Sequence, residues 1–411
     1  MFDPVVVEPV AEGEGIDVGA PSPSATGSTR APTFRRGRHP TVVIKLTLLI
    51  PTLDRSGAEK QLMLLATHLP RDEFDVRVIT LDRGGPYEAP LQEQGIPVTN
   101  TGKRRKLDLS AFRRLREVLA AQQPDILHSW LFSANSYGRL VAGKRRRFKV
   151  VISERCVDTW KSGWQFWLDR RLIARTDRLV ANSESVATFY RDVGFPGERM
   201  VVIPNGVDRP ALPVTSREQL LADLKLPTDA RLACYVGRLA RQKRLEDLLW
   251  GMQVLRQADP RAHLLVIGDG PERDRLEQYA RDVESAAHVR FLGHRDDAAQ
   301  LLQLCDVFWL ASDFEGMSNS LLEAMACGLP VVVSNIPPNR ELVQHGVHGY
   351  LIDIGDGAGY AQYTRKLLEE PPLAARFGEA GRLRVELDFP IDRMVQRHID
   401  VYREVMQGGG G

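Results

Sequence analysis

Two series of short apolar runs, each alternating with longer segments of helical period, occupy most of the chain. In the first series strands fall at Val42–Ile50, Asp75–Leu81, Ile126–His128, Lys149–Ser153, Arg178–Ala181 and Met200–Ile203. Helices at Gly57–Leu69, Leu109–Ala121, Ala134–Ala142, Trp164–Ala174 and Ser185–Val193 fill the gaps. Such alternation specifies βαβ units, and with them a parallel sheet covered by helices. Ligands of these sheets sit beyond the carboxyl ends of the strands. The turn Pro204-Asn205-Gly206-Val207-Asp208 closes the series, and a proline-rich stretch through Pro213 reads as a linker, with a boundary near residue 212. The second series has strands at Leu232–Val236, His263–Ile267, Val289–Leu292, Val307–Leu310 and Val331–Val333, and a helix at Leu245–Gln257. The chain closes on an amphipathic helix, Ile391–Met406.

A length of 411 residues accommodates two domains of ordinary size. The balance of 55 basic against 53 acidic residues, +2, argues against a nucleic-acid binder. Cys156, Cys234, Cys305 and Cys327 are scattered without a CxxC pair, as expected for thiols of a reducing compartment and not for disulfides or a zinc site. No apolar run reaches the length of a membrane span, and the start lacks a basic region followed by an apolar core. The expected setting is cytoplasmic. Residues 1–40 mix Pro, Gly, Ser and acids before the run Arg35-Arg36-Gly37-Arg38, and read as a disordered tail.

The stretch from Asp313 to Ser334, DFEGMSNSLLEAMACGLPVVVS, holds two glutamates, Glu315 and Glu323, with seven residues between them. Ser320-Leu321-Leu322-Glu323 has the form of a capping box, so a helix starts between Ser318 and Ser320. Gly328 ends it, and Pro330 leads into a buried strand. The N–H groups at such a helix start make an anion site, flanked here by two carboxylates able to grip hydroxyls around a phosphate. Alternatively, Glu323 merely caps its helix and Glu315 is a solvated loop charge. After the first strand of the second series comes Gly237-Arg238-Leu239-Ala240-Arg241-Gln242-Lys243. There glycine permits close backbone approach, and fixed cations would stabilise a departing diphosphate. Gly268-Asp269-Gly270-Pro271 is a second strand-to-helix turn, structural or ligand-facing on its residues alone.

Taken together, these motifs resemble those of the retaining glycosyltransferases of family four, over roughly residues 42 to 406. The resemblance implies an α/β GT-B fold: two Rossmann-like βαβ domains facing a central cleft, with the C-terminal helix crossing back. It divides the chain into an acceptor-side domain (41–212), a nucleotide-sugar-binding domain (213–388) and a crossover helix with its tail (389–411). It assigns Arg238, Lys243 and Glu315 to catalysis. Donor binding falls to Gly57, Gly237, Gly268, Gly270, Gly316, Met317, Ser318, Asn319, Ser320, Leu321 and Glu323, with Glu323 on the ribose and the backbone near Arg290–Leu292 on the base. Arg55-Ser56-Gly57-Ala58-Glu59 matches the family's Gly-Gly-Ala-Glu loop except for Ser56. Many relatives carry His-x-His where this chain has His128-Ser129-Trp130, so the second histidine is replaced by Trp130. His128 then lines the cleft or is a hydrogen-bonded structural histidine; Asn135 and Glu154 are further acceptor-side candidates.

The implied activity is transfer of a sugar from a nucleotide-sugar, most plausibly UDP-linked, to a saccharide or lipid-linked acceptor, in cell-surface polysaccharide or glycolipid synthesis. No cofactor is implied: the nucleotide-sugar is a co-substrate, and no metal is expected. A nucleotide-sugar epimerase of the same fold and a non-catalytic partner subunit are the alternatives. Incubation with donor alone distinguishes the first, and absence of both donor binding and transfer the second. Trp160, Trp164 and Trp167 share one face if helical, beside Lys161, Arg170, Arg171 and Arg175. They either meet the headgroups of a membrane, making the protein peripheral on its inner face, or fill the core or the acceptor cleft.

Overall fold

The computed structural model describes residues 43–105, 107–143 and 147–408. The tail expected over residues 1–40 lies outside them. The first sheet comprises β1 (Ile44–Ile50), β2 (Phe74–Thr80), β3 (Val98–Asn100), β4 (Ile126–Trp130), β5 (Lys149–Glu154), β6 (Arg178–Ala181) and β7 (Met200–Val202). All pairings are parallel, in the order β3-β2-β1-β4-β5-β6-β7. The crossovers are α1 (Gly57–His68), α2 (Glu88–Glu93), α3 (Leu109–Gln122), α4 (Leu131–Ala142), α5 (Gly163–Leu172) and α6 (Glu184–Asp192). Side chains of β1 alternate between two layers. Leu46, Leu48 and Ile50 pack with Leu62 and Leu65 of α1, while Leu49 packs with Leu115 of α3 and Ala134 of α4.

The second sheet comprises β8 (Arg231–Val236), β9 (Ala262–Ile267), β10 (Val289–Gly293), β11 (Val307–Leu310), β12 (Val331–Ser334) and β13 (Gly349–Ile352). Its order is β10-β9-β8-β11-β12-β13, again parallel. Helices α7 (Arg217–Asp223), α8 (Leu245–Ala258), α9 (Arg273–Asp282), α10 (Ala298–Leu302), α11 (Asn319–Ala326), α12 (Pro337–Leu342), α13 (Gly357–Glu369) and α14 (Pro371–Asp388) surround it. One core runs through this half, with Trp309 and Tyr360 among its largest buried side chains.

Strand order reverses between β1 and β4 in one sheet, and between β8 and β11 in the other. A crevice opens at such reversals, at the carboxyl ends of the strands. The loops after β1, β8 and β11 are those carrying Gly57, Gly237 and Glu315.

Helix α15 (Ile391–Gln407) buries Ile391, Met394, Val395, His398, Ile399, Tyr402 and Val405, spaced by threes and fours along one stripe. That stripe joins Leu46, Val76 and Ile126 in the core of the first sheet, so the last helix does cross back. The short elements α2, β3 and β13 escaped the sequence reading, because three to six residues are too few to display a period.

Candidate active site

The loop between β11 and α11 is clamped from both sides. From its own half, Ser312 Oγ donates to Glu315 Oε1 over 2.7 Å, and Lys243 Nζ forms an ion pair with the same oxygen. From the first half, Val157 N donates to Glu315 O (3.2 Å), and Asn205 Nδ2 donates to Met317 O (3.0 Å) and Asn319 Oδ1 (2.6 Å). Asn319 Nδ2 in turn donates to Gly57 O at the start of α1, over 3.0 Å. Gly316 lies flat against Arg155 and forms a bridge with Cys156.

Helix α11 is capped differently from its sequence pattern. Ser318 is the N-cap, its Oγ accepting from Leu321 N at 3.3 Å. The Ser320–Glu323 capping box does not form, because the N-cap is Ser318, two residues earlier. Instead, Glu323 Oε1 accepts from Lys60 Nζ of α1 at 2.6 Å, across the cleft. Burial presses the Lys60 ammonium down, but Glu323 beside it more than offsets that, and its pKa is raised. Lys60, Gln61, Gly206, Asp208, Asn319 and Glu323 line a cavity of about 180 Å³ here. Gly328, with φ of 74°, follows the helix end as expected.

Lys243 and Glu315 therefore meet, although 72 residues separate them. Arg238 is on the exposed rim of the loop after β8, its guanidinium without an ion pair among the described residues. Gly237, Gly268 and Gly270 pack loop on loop. Gly268 has φ of 134°, and a Cβ there would lie 2.9 Å from the carbonyl carbon of Gly237. A Cβ on Gly270 would lie 2.7 Å from Leu239 N. These glycines bring the two loops into register, whatever else they touch.

The acceptor-side candidates require correction. His128 lies beneath the sheet surface, with Nδ1 2.7 Å from Tyr402 Oη of α15 and Nε2 2.8 Å from Ser153 Oγ. Burial, and then the neighbouring His398 and Arg155, hold its pKa well below the ordinary value, so it is a neutral structural histidine. Asn135 and Glu154 are buried against each other, Asn135 Nδ2 donating to Glu154 Oε1 at 2.9 Å. Burial raises the Glu154 pKa to about 7, against the pull of Lys161 at 3.6 Å. All three are buried; the next residue along, Arg155, is only half-buried. Sequence reasoning also passed over Lys60, Asn205 and Gln61. Lys60 directly follows the Ser56-Gly57-Ala58-Glu59 loop, and the sequence around Asn205 marks only a turn.

Two family models match the halves built above. "Glycosyltransferase Family 4" matches residues 55–209, and "Glycosyl transferases group 1" matches residues 216–384. The chain belongs to the family-four glycosyltransferases. This glycosyltransferase is 26% identical over 306 residues to the N-acetyl-alpha-D-glucosaminyl L-malate synthase of Bacillus anthracis, covering 73% of this chain and 80% of that one. It is 26% identical over 396 residues to the UDP-Gal:alpha-D-GlcNAc-diphosphoundecaprenol alpha-1,3-galactosyltransferase of Escherichia coli, covering 90% and 99%. Among solved structures, Anabaena HepE in complex with UDP and glucose superimposes with a TM-score of 0.79 at 22% identity, covering 88% of this chain and all of that one. The glycosyltransferase thus has the GT-B fold: two parallel sheets face each other across the cleft in which Lys243, Glu315 and Glu323 lie.

Proposed function

We propose that this glycosyltransferase moves a sugar, with retention of anomeric configuration, from a UDP-sugar to an acceptor hydroxyl in polysaccharide or glycolipid synthesis. The observation that carries this reading is the pair of contacts at the strand-order reversals: Lys243 with Glu315 after β8 and β11, and Glu323 with Lys60 of the first half. Lys243, joined by Arg238 on the rim, meets the charge that develops on the leaving diphosphate. Glu315 faces the sugar. Glu323 takes the ribose hydroxyls, exchanging its Lys60 partner for them as the donor enters. The acceptor attacks from the face the diphosphate leaves, and the diphosphate takes the acceptor proton. No metal is assigned a part. The Escherichia coli relative is named for a UDP-sugar donor, and HepE was solved with UDP, which supports the choice of base.

Calorimetry with UDP, and NMR of the product anomer, test the reading. Glu323→Gln should weaken UDP binding by roughly tenfold, the worth of a charged hydrogen bond. Glu315→Gln should bind UDP as wild type does and transfer more slowly. Equal losses of UDP affinity in both variants would contradict the assigned roles, and a product of inverted configuration would contradict retention.

We further propose that the acceptor is lipid-linked and reached at an anionic bilayer. Trp160, Trp164 and Trp167 are 55%, 58% and 57% exposed, so they do not fill the core. Trp164 and Trp167 lie in α5, which starts at Gly163 behind the N-cap Ser162; Trp160 precedes it. Exposed Arg170 and Arg171 accompany them, Arg171 lying 5.4 Å from the Trp167 ring centroid. Lys161 does not contribute to this surface, being buried among Glu154, Asp158 and Asp169. Helix α4 packs between α5 and α3, and the α3 end adds exposed Leu107 and Leu109 with Arg104, Arg105, Arg113 and Arg116. Aromatic and basic residues together suit an anionic headgroup layer. Among the described residues no helix is long and apolar enough to cross a membrane. The protein should sediment with phosphatidylglycerol vesicles at low salt. Replacing Arg170 and Arg171 by glutamine should weaken partitioning roughly tenfold or more, at about 1 kcal/mol per basic residue. Failure to sediment at low salt would leave a freely dissolved acceptor.

A further inference from the structure

The strand end at β5 carries a cation without a counter-charge. Arg155 follows Glu154 directly and is half-buried. Its Nη2 donates to the carboxamide oxygen of Asn205, and its guanidinium carbon lies 4.7 Å from the centroid of the Trp130 ring. Trp130 is itself stacked on His398, at 6.2 Å and 11°. Every partner is neutral: burial holds both His128 and His398 below the ordinary histidine range, and Asn205 is an amide. Among the described residues no carboxylate pairs with Arg155. Burial lowers its pKa to about 9, which still leaves it charged at neutral pH. Among the described residues, the remaining nitrogens, Nε and Nη1, make no hydrogen bond, and neither is sealed from solvent.

Desolvated charges in proteins are paired or hold a ligand, because an uncompensated one is costly. The contrast within the same cleft is informative. Lys60 has Glu323, Lys243 has Glu315, and Lys161 has three carboxylates. Arg155 alone of these four has none, yet it too is held in place. Asn205 fixes one edge of its planar fork and Trp130 one face, leaving the other edge for a bidentate partner. The Arg155 carbonyl oxygen lies against Gly316, next to Glu315.

We propose that Arg155 binds an anionic group, carboxylate or phosphate, carried by the acceptor close to the hydroxyl that receives the sugar. The missing counter-charge is then supplied by the substrate. The inference rests on the donor reading above, in which Arg238 and Lys243 take the diphosphate and the first sheet presents the acceptor. It makes the glycosyltransferase selective for acid-bearing acceptors over neutral sugars of similar size.

Inorganic phosphate is the probe, titrated calorimetrically into protein saturated with UDP. Wild type should bind it, and Arg155→Gln should bind it at least about tenfold more weakly, with unchanged UDP affinity. Arg155→Lys keeps the charge without the fork and should fall between, which also serves if the glutamine variant is unstable. Phosphate binding equally to wild type and Arg155→Gln, or not binding wild type, overturns the proposal. A wild-type preference for UDP-glucuronate over UDP-glucose that vanishes in Arg155→Gln would put the anion on the donor and overturn the acceptor assignment. Absence of UDP binding in wild type would instead count against the donor reading, while phosphate titration without UDP still reports on Arg155.

Discussion

Replacing Gly316 by alanine is expected to reduce sugar transfer about a hundredfold, the scale of a misplacement near 1 Å at a reacting centre. A Cβ at Gly316 would lie 2.5 Å from the carbonyl carbon of Arg155, nearer still to its oxygen, and 2.7 Å from Asn182 Oδ1. The first two are backbone atoms of β5's continuation and cannot swing aside. The loop must back away, carrying Glu315 with it and breaking the Val157 N to Glu315 O bond. Both sheets should remain folded, since neither core includes Gly316, and the stability loss should stay near 1–3 kcal/mol, the usual cost of overpacking, roughly. Gly197→Ala, outside the site, is the control, because its Cβ meets only Arg191 Nε at 3.6 Å. Circular dichroism melts and steady-state transfer rates read the two effects separately. Wild-type turnover in a folded Gly316→Ala protein would show that the close approach of the two loops is not needed for transfer.

Lys243→Ala should lower turnover by roughly ten- to a hundredfold, equivalent to ~1.5–3 kcal/mol for one charge-assisted hydrogen bond made mainly in the transition state. The same change strips Glu315 of its cation, leaving that buried carboxylate with Ser312 alone. Some of the loss would therefore reflect an unpaired charge and not the missing diphosphate contact. The double variant Lys243→Ala/Glu315→Gln separates them. It should recover thermal stability lost in the single variant without recovering turnover. Restored turnover in the double variant would remove Lys243 from the leaving-group role.

The alternation of strand and helix was legible because each of its longer elements advertises a period. The Lys149–Glu154 strand is buried along nearly its whole length, and α15 shows its stripe plainly. Motif loops were legible too, since glycine and charge at a strand end have a local meaning. Pairings across the cleft were not. Lys60 and Glu323 stand 263 residues apart, and neither sequence neighbourhood names the other. Glu323 even carried a misleading local signal, a serine three residues upstream, which the true N-cap Ser318 displaced. The choice between a cleft-lining and a structural His128 was out of reach for the same reason. The sequence pattern ends its strand at His128, whereas β4 runs on to Trp130 and leaves His128 in its interior, where the hydroxyl that holds it comes from Tyr402, 274 residues later. Arg155 was invisible as a site because what marks it is the absence of a carboxylate, and only assembled neighbours reveal that.

The return of α15 to the first sheet has a bearing on how the protein is made. The second core is drawn from one contiguous stretch, Leu220 to Phe389. The first is not: Leu46, Leu48, Val76 and Ile126 leave the ribosome early, and the helix that covers them, Ile391 to Gln407, leaves near the end. The half synthesised first is thus the half completed last. Throughout translation of the second half, an apolar face of the nascent first domain stands uncovered, the condition under which large chains engage chaperones or aggregate. A chain that ends after Phe389 but before α15 would hold one finished core tethered to one open one.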